Sequence, residues 1–401
     1  MYKIICMGLG YIGLPTATLI AGRGFDVLGV DINEKVVEVI NRGEIHFIEP
    51  GLKELVQQSV VKGNLRASTK PEAGDVYLIV VPTPFKENHE PDISYVENAT
   101  RTVLPLLKKG DLFIIESTSP VMTTEKMSDI IFSERPELKG NIFVAYCPER
   151  VLPGNALYEL EYNDRVIGGI DENSTSKACS FYSQFVKGTL HRTNARTAEM
   201  CKLVENSSRD VQIAFANELS IICAQNGINV WELIELANRH PRVHILQPGC
   251  GVGGHCIAVD PWFIIAQNPQ QTHLIKQARD VNDNKAEWCI NQIMESYNKF
   301  IADHNRVPTI ACMGIAFKPD IDDLRESPAK YIASEVIART KAKVFIVEPN
   351  IKEHNNFPII SLKQADEQAD IVVWLVRHKE FLNKRLTSGK IELDFCGILK
   401  K

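Results

Sequence analysis

Residues 3–13 read Lys3-Ile4-Ile5-Cys6-Met7-Gly8-Leu9-Gly10-Tyr11-Ile12-Gly13. An apolar, strand-like run leads into three closely spaced glycines. A helical pattern follows from Leu14 to Gly24, then a second strand-like run from Asp26 to Val30 that ends on Asp31. Strand, glycine turn, helix, strand and acid in that order form the signature of a dinucleotide site. Gly8 allows the tight turn, Gly10 lets a pyrophosphate approach the backbone, and Gly13 lets helix and strand pack closely. The pyrophosphate would sit at the helix N-terminus, where unpaired N–H groups point outward. The carboxylate of Asp31 would bond a ribose 2′-hydroxyl and repel a 2′-phosphate, so the expected cofactor is NAD, not NADP.

Further strand-like runs at 76–81 and 112–116 end in the loops Pro82-Thr83-Pro84 and Ser117-Thr118-Ser119-Pro120. Ligands of open α/β sheets bind beyond the carboxyl ends of the strands. Thr83 and Thr118 therefore either touch the cofactor or serve as ordinary turn residues. A strand at 142–146 leads into Cys147-Pro148-Glu149-Arg150-Val151-Leu152-Pro153-Gly154, which reads as a rigid functional loop or a polar surface turn.

A long helical pattern covers about 195–226 and stops at Gly227, followed by a shorter helix at 230–238. Lys202, Asn206 and Arg209 share one face of the long helix. That face is either solvated or aimed at an anionic substrate. Arg239-His240-Pro241-Arg242 then leads toward Gly249-Cys250-Gly251-Val252-Gly253-Gly254-His255-Cys256, with Asp260 four residues later. Four glycines in six residues imply a tight turn or a close approach. Cys256 at the end of such a loop is a candidate nucleophile, set against the alternative of a space-filling thiol. Cys250 reads as structural.

A second long helix runs from about 272 to 305. After it, a strand at 309–317 precedes Lys318 and Arg325, where phosphate-binding cations would be useful. A helix with Pro328 in its first turn and strands at 343–347 and 371–376 complete a second βαβ arrangement. Only Gly314 occupies its turn, so the dinucleotide fingerprint is not repeated.

The 401 residues carry a net charge of −5, with 44% hydrophobic and 24% charged residues. These values fit a folded globular chain and give no reason to expect nucleic-acid binding. No apolar run approaches the roughly 18 residues of a membrane helix. The start of the chain does not read as a signal peptide. The ten cysteines form no Cys-x-x-Cys pair, so no metal site is indicated and a cytoplasmic location is expected.

Taken together, these motifs resemble the UDP-glucose/UDP-mannose (nucleotide-sugar 6-) dehydrogenase family over essentially the whole chain. The matching elements are Gly8 to Gly13 with Asp31 and Lys35, Val81-Pro82-Thr83-Pro84, Glu116-Ser117-Thr118 and Cys147-Pro148-Glu149-Arg150. Lys202 with Asn206, Gly253-Gly254-His255-Cys256 with Asp260, and Phe317-Lys318 with Arg325-Glu326-Ser327 complete the set. Within the family, the run from Gly251 to Phe263 and the Cys-Pro-Glu-Arg at 147–150 are most similar to members acting on UDP-N-acetyl-D-mannosamine.

The resemblance implies an α/β fold with two Rossmann-like doubly wound domains joined by a central helical domain with a long connecting helix. The expected segments are 1–194 for NAD, 195–300 for dimerisation and catalysis, and 301–401 for UDP. It implies a four-electron oxidation of a sugar C6 alcohol to a carboxylate with two NAD. Lys202 would act as base or electrostatic partner, Cys256 as covalent trap, and Asn206 as oxyanion donor with Lys202. Glu149, Thr118 and Asp260 would position the hydrolytic water. Arg150, Val151, Lys202, Asn206, Arg209, Gly253, Phe317 and Lys318 would contact the UDP-sugar. His240 and Arg242 match positions reaching a neighbouring subunit's site, which implies a homodimer or larger. Tyr11, Ile12, Asp31, Lys35, Thr83, Thr118 and Arg325 match cofactor contacts.

Two other readings stand beside this one. A two-electron hydroxyacid dehydrogenase would share the first domain and a Lys/Asn pair, but would lack the glycine-loop cysteine and the second βαβ domain. A non-catalytic nucleotide-sugar sensor would have no need of Cys256, Lys202, Asn206 and Asp260 together. The same chemistry on UDP-GlcNAc, UDP-GalNAc or UDP-glucose remains the alternative in substrate.

Overall fold

Ile4 and Cys6 of strand β1 (Lys3–Met7) belong to one apolar cluster, and Ile5 and Met7 to another. Successive side chains of a strand point to opposite faces, so this sheet is covered on both. The structure, a computed structural model, describes residues 2–86, 89–151, 154–254 and 256–399. Leu152, Pro153 and His255 of the motifs above lie outside the described residues.

The chain packs as two compact units: Met1–Glu205 with Trp262–Gln267, and Asn206–Pro261 with Asn268–Lys401. The first unit is built on an eight-stranded sheet. Its strands after β1 are β2 (Asp26–Val30), β3 (Leu65–Ser68), β4 (Val76–Ile79), β5 (Leu112–Ile115), β6 (Phe143–Tyr146), β7 (Arg165–Gly169) and β8 (Leu190–Asn194). They lie in the order β3-β2-β1-β4-β5-β6-β7-β8, and only the β6–β7 pairing is antiparallel. The strand order reverses between β1 and β4, which places the loops after these strands at the position where doubly wound sheets bind ligands.

The second unit holds a parallel sheet in the order β10-β9-β11-β12, made of β9 (Thr309–Met313), β10 (Lys343–Val347), β11 (Ile371–Trp374) and β12 (Ile391–Asp394). Ile310 and Cys312 of β9 join one apolar cluster, and Ala311 and Met313 the other. Here too both faces are buried, and the order reverses between β9 and β11. The helices His273–His304 and Val230–Ala237 belong to this unit. The 31-residue helix Ala195–Gln225 is one continuous element.

The α/β class and both doubly wound sheets match the sequence expectation. β9 is shorter than the expected 309–317, because the chain turns at Gly314 with φ +88°. The helix Asp260–Gln267 and strands β3, β7, β8 and β12 carry no clear sequence signal. β8 has only exposed and half-buried residues at a sheet edge, and β7 includes Gly168 and Gly169, so neither shows a β-type apolar run.

Candidate active site

The dinucleotide turn lies at the strand-order reversal of the first unit. Gly8 has φ +99°, and a Cβ there would lie 2.5 Å from the Val80 carbonyl oxygen. Beyond Gly10 the space is open: a Cβ there would meet nothing within 4 Å. A Cβ on Gly13 would collide with the Gly8 carbonyl oxygen at 1.9 Å, so helix Gly13–Gly22 starts hard against the turn. Ile12, at its N-cap position, offers no capping side-chain hydrogen bond. Open space at Gly10 beside an uncapped helix start fits a pyrophosphate.

Asp31 follows β2. Its two oxygens accept the N–H groups of Leu9 at 3.0 Å and Asn33 at 2.9 Å. The carboxylate is thereby fixed beside the glycine turn. Tyr11 is exposed and packs against Phe47 with ring centroids 4.5 Å apart, Ile12 is half-buried and Lys35 is exposed. The hydroxyl of Thr83 donates to the carbonyl of Thr118 at 2.6 Å, which ties the loops after β4 and β5 together. Asp31→Ala should raise the Kd for NAD about tenfold or more, since hydrogen bonds to charged groups are worth ~1.5–3 kcal/mol. A titration of both proteins measures this, and tighter NADP than NAD binding by the unaltered protein would contradict the role.

Glu149 is buried after β6. One oxygen accepts the backbone N–H groups of Arg150 at 2.5 Å and Val151 at 2.8 Å, and the other accepts from Arg165 at 2.8 Å. One oxygen is engaged by the loop itself and the other by Arg165 of β7, so the carboxylate fixes the course of residues 149–151. The sequence gives no hint of Arg165, which stands 16 positions away on β7. Arg150 bonds Glu205 at 2.5 Å and the Asp164 carbonyl at 2.6 Å. Val151 is half-buried.

Beneath this loop lies Glu116, fully buried and bonded by the Tyr182 hydroxyl. Burial pushes its carboxyl up to about 7, against the opposing pull of Arg165. Glu199, which bonds the N–H groups of Met122 and Thr124 at 2.7 Å, is likewise raised to about 7 by burial. The folded chain holds these protons above the pH at which the unfolded chain releases them. The stability contributed by each is complete below about pH 4.5 and is lost as pH rises through 7. The slope per group should be on the order of 1 kcal/mol per pH unit at its steepest. Urea midpoints should show Glu116→Gln gaining on the unaltered protein between pH 5 and pH 8; an unchanged gap would contradict the shift.

Lys202 is half-buried on the long helix, and among the described residues its ammonium has no hydrogen-bond or ion-pair partner. A positive charge held without a carboxylate is available to a substrate oxygen.

In the second unit, Asn206 donates to the Asp260 carboxylate at 2.5 Å. The Asp260 N–H in turn donates to the Cys256 carbonyl at 2.8 Å. Amide, acid and thiol-bearing loop are thereby joined across 54 positions of sequence. Asp260 is buried, whereas Cys256 is the one exposed cysteine of ten. Cys250 is buried with its thiol pushed well up, chiefly by its contact with Cys289 and by burial, which leaves it in a structural place.

The glycine loop permits a close approach of its backbone. At Gly253 and Gly254 the close neighbour is the protein itself. A Cβ on Gly253 would meet the Glu326 carbonyl oxygen at 2.4 Å and Phe317 Cβ at 2.8 Å, and one on Gly254 would meet the Phe317 ring at 2.9 Å. The loop is thus seated on Phe317, which puts the expected substrate residues Gly253 and Phe317 side by side. Lys318 is exposed next to them. Arg325 forms a bidentate pair with the two oxygens of Asp323 at 2.6 and 2.9 Å. Arg209, His240 and Arg242 are exposed, the last two within the exposed run 239–244.

Three consecutive stretches match the UDP-glucose/GDP-mannose dehydrogenase family: its NAD binding domain over residues 2–186, its central domain over 196–284 and its UDP binding domain over 311–401. UDP-N-acetyl-D-mannosamine dehydrogenase of Escherichia coli (strain K12) is 55% identical over 394 residues, covering 94% of each chain. NDP-N-acetyl-D-galactosaminuronic acid dehydrogenase of Ralstonia nicotianae is 51% identical over 98% of this chain and 96% of its own. The structure of UDP-D-ManNAc dehydrogenase from Pyrococcus horikoshii superposes with a TM-score of 0.89 at 39% identity, covering 100% of this chain and 96% of that one.

Proposed function

Since the chain belongs to the UDP-glucose/GDP-mannose dehydrogenase family, we propose that it oxidises the C6 hydroxyl of UDP-N-acetyl-D-mannosamine to a carboxylate for surface polysaccharide precursors. One sugar, two NAD and one water give the uronate, two NADH and three protons. The observation that carries the choice of sugar is the 55% identity to the Escherichia coli UDP-N-acetyl-D-mannosamine dehydrogenase. The 51% identity to the galactosaminuronic acid enzyme favours UDP-GalNAc as the second reading.

The glycine turn and Asp31 would hold NAD, which would supply the hydride acceptor for both oxidations at C6. In the first, Lys202 takes up the hydroxyl proton as the neutral amine or, as the ammonium, balances the alkoxide charge. The Cys256 sulfur then adds to the aldehyde carbon, giving a thiohemiacetal that becomes a thioester in the second oxidation. Asn206 and Lys202 stabilise the oxygen that gathers charge at each addition. Asp260 orients the Asn206 amide and, with Thr118, places the water that cleaves the thioester and frees the thiol. Glu149 acts in this step by holding its loop.

Division of labour follows the segments 1–194 for NAD, 195–300 for catalysis and assembly, and 301–401 for UDP, with Lys318 meeting the diphosphate. Assembly as a homodimer or larger is supported by exposed Phe215, Ile222 and Leu236 on the two helices, and Ile228 between them, before the exposed His240 and Arg242. A cytoplasmic location agrees with the soluble sugar nucleotide, and no helix among the described residues is long and apolar enough to cross a membrane. The test is a panel of UDP-ManNAc, UDP-GalNAc, UDP-GlcNAc and UDP-glucose followed at the NADH absorbance. UDP-ManNAc should give the highest kcat/KM; a higher value for any other sugar replaces it as substrate.

A further inference from the structure

Asn206, Asp210 and Asn217 fall on one face of the long helix, spaced by four and seven residues. The first holds Asp260, as described. The other two begin a buried polar chain that no part of the reaction scheme uses. One Asp210 oxygen accepts from Arg279 at 2.7 Å and from the Asn282 amide at 2.8 Å. The Asn282 amide also reaches the Asp210 carbonyl at 3.1 Å. The Asn282 side-chain oxygen accepts from the Asn217 amide at 2.9 Å. The Asn217 oxygen, finally, accepts the backbone N–H of Gly249 at 2.9 Å, the first residue of the glycine loop.

These groups are nearly inaccessible: Asp210 and Asn217 are 0% exposed and Asn282 is 1% exposed. A carboxylate can only accept, so Asp210 turns the Asn282 NH₂ toward itself. That leaves the Asn282 oxygen for Asn217, and the Asn217 oxygen for Gly249. Each amide is oriented by the one before it, and the chain ends on the loop that carries the thiol. The helix His273–His304 adds a second restraint, because a Cβ on Gly251 would come within 2.8 Å of the Asn282 carbonyl oxygen. The loop is therefore held at Gly249 by Asn217, and at Cys256 by Asp260, whose carboxylate is bonded by Asn206 from the same helix face as Asn217.

We propose that Asn217 and Asn282, oriented by Asp210, are positioning residues that set the glycine loop and hence the Cys256 thiol for reaction. They act through the loop and touch neither sugar nor cofactor. The catalytic part of this inference rests on the nucleophile assignment above; the positioning part does not.

The test uses the full chain carrying Asn217→Ala, Asn282→Ala and the pair together. Cys256 labelling by iodoacetamide, read by peptide mapping without substrate, should change at least several-fold in each variant. With UDP-ManNAc and NAD, kcat should fall roughly 10²-fold, the scale of a small misplacement, while KM stays within about threefold. The double variant should be no worse than the poorer single one, because both break one chain. Unchanged labelling with unchanged kcat overturns the proposal, as do additive losses in the double variant. Where Asn282→Ala fails to fold by circular dichroism, Asn217→Ser carries the same measurements. If the unaltered protein oxidises no UDP-sugar, the functional reading fails while the labelling still decides the positioning claim.

Discussion

Cys256→Ser should bind UDP-N-acetyl-D-mannosamine as the unaltered protein does, yet lose uronate formation by a factor on the order of 10³ or more, the scale seen when a covalent nucleophile is removed. A serine hydroxyl at neutral pH is a far poorer nucleophile than a thiol, and a nucleophile of that kind needs an adjacent base. Cys256 lies at the exposed end of a loop whose other cysteine, Cys250, is buried, so no second thiol replaces it. The first oxidation can still run, so any NADH released should not exceed one per sugar. Calorimetric titration of the sugar nucleotide, alongside chromatographic detection of the uronate, separates binding from chemistry. Full turnover in this variant would remove Cys256 from the mechanism.

Lys202→Ala should lower kcat and kcat/KM together by about 10²–10⁴, the range for loss of a positioned acid–base group. Among the described residues the ammonium has no carboxylate partner, so its removal leaves no buried acid unpaired and the fold should survive. Steady-state kinetics against both substrates decides the role. A rise in KM alone would make Lys202 a binding residue, because an interaction equal in ground and transition states changes only affinity.

The parts that were legible in the sequence are those whose cause is local. Gly8, Gly10, Gly13 and Asp31 announce themselves because a tight turn, an open approach and an acid at the next strand end all fall within 24 residues. The two long helices are equally plain, since their apolar periodicity runs for 31 and 32 residues. Strand β7 is hidden, because its glycines mask a pattern that tertiary pairing supplies. The hydrogen-bond partners were not legible at all. Glu149 and Arg165 meet across an antiparallel pairing, Asn206 and Asp260 across 54 residues, and Asn217 and Asn282 across 65. Nothing in the one-dimensional pattern ties such pairs together. The glycine loop shows the same limit from the other side: its residue types are readable, but the reason for Gly253 and Gly254 is a Phe317 ring that folding brings beneath them.

In the proposed reaction one thiol carries a four-electron oxidation to completion. Counting NADH released per UDP-N-acetyl-D-mannosamine consumed, with NAD in excess and the sugar limiting, tests it most directly. Two NADH per sugar, with the uronate as sole product, is the predicted result. One NADH per sugar, with an aldehyde accumulating, would contradict it.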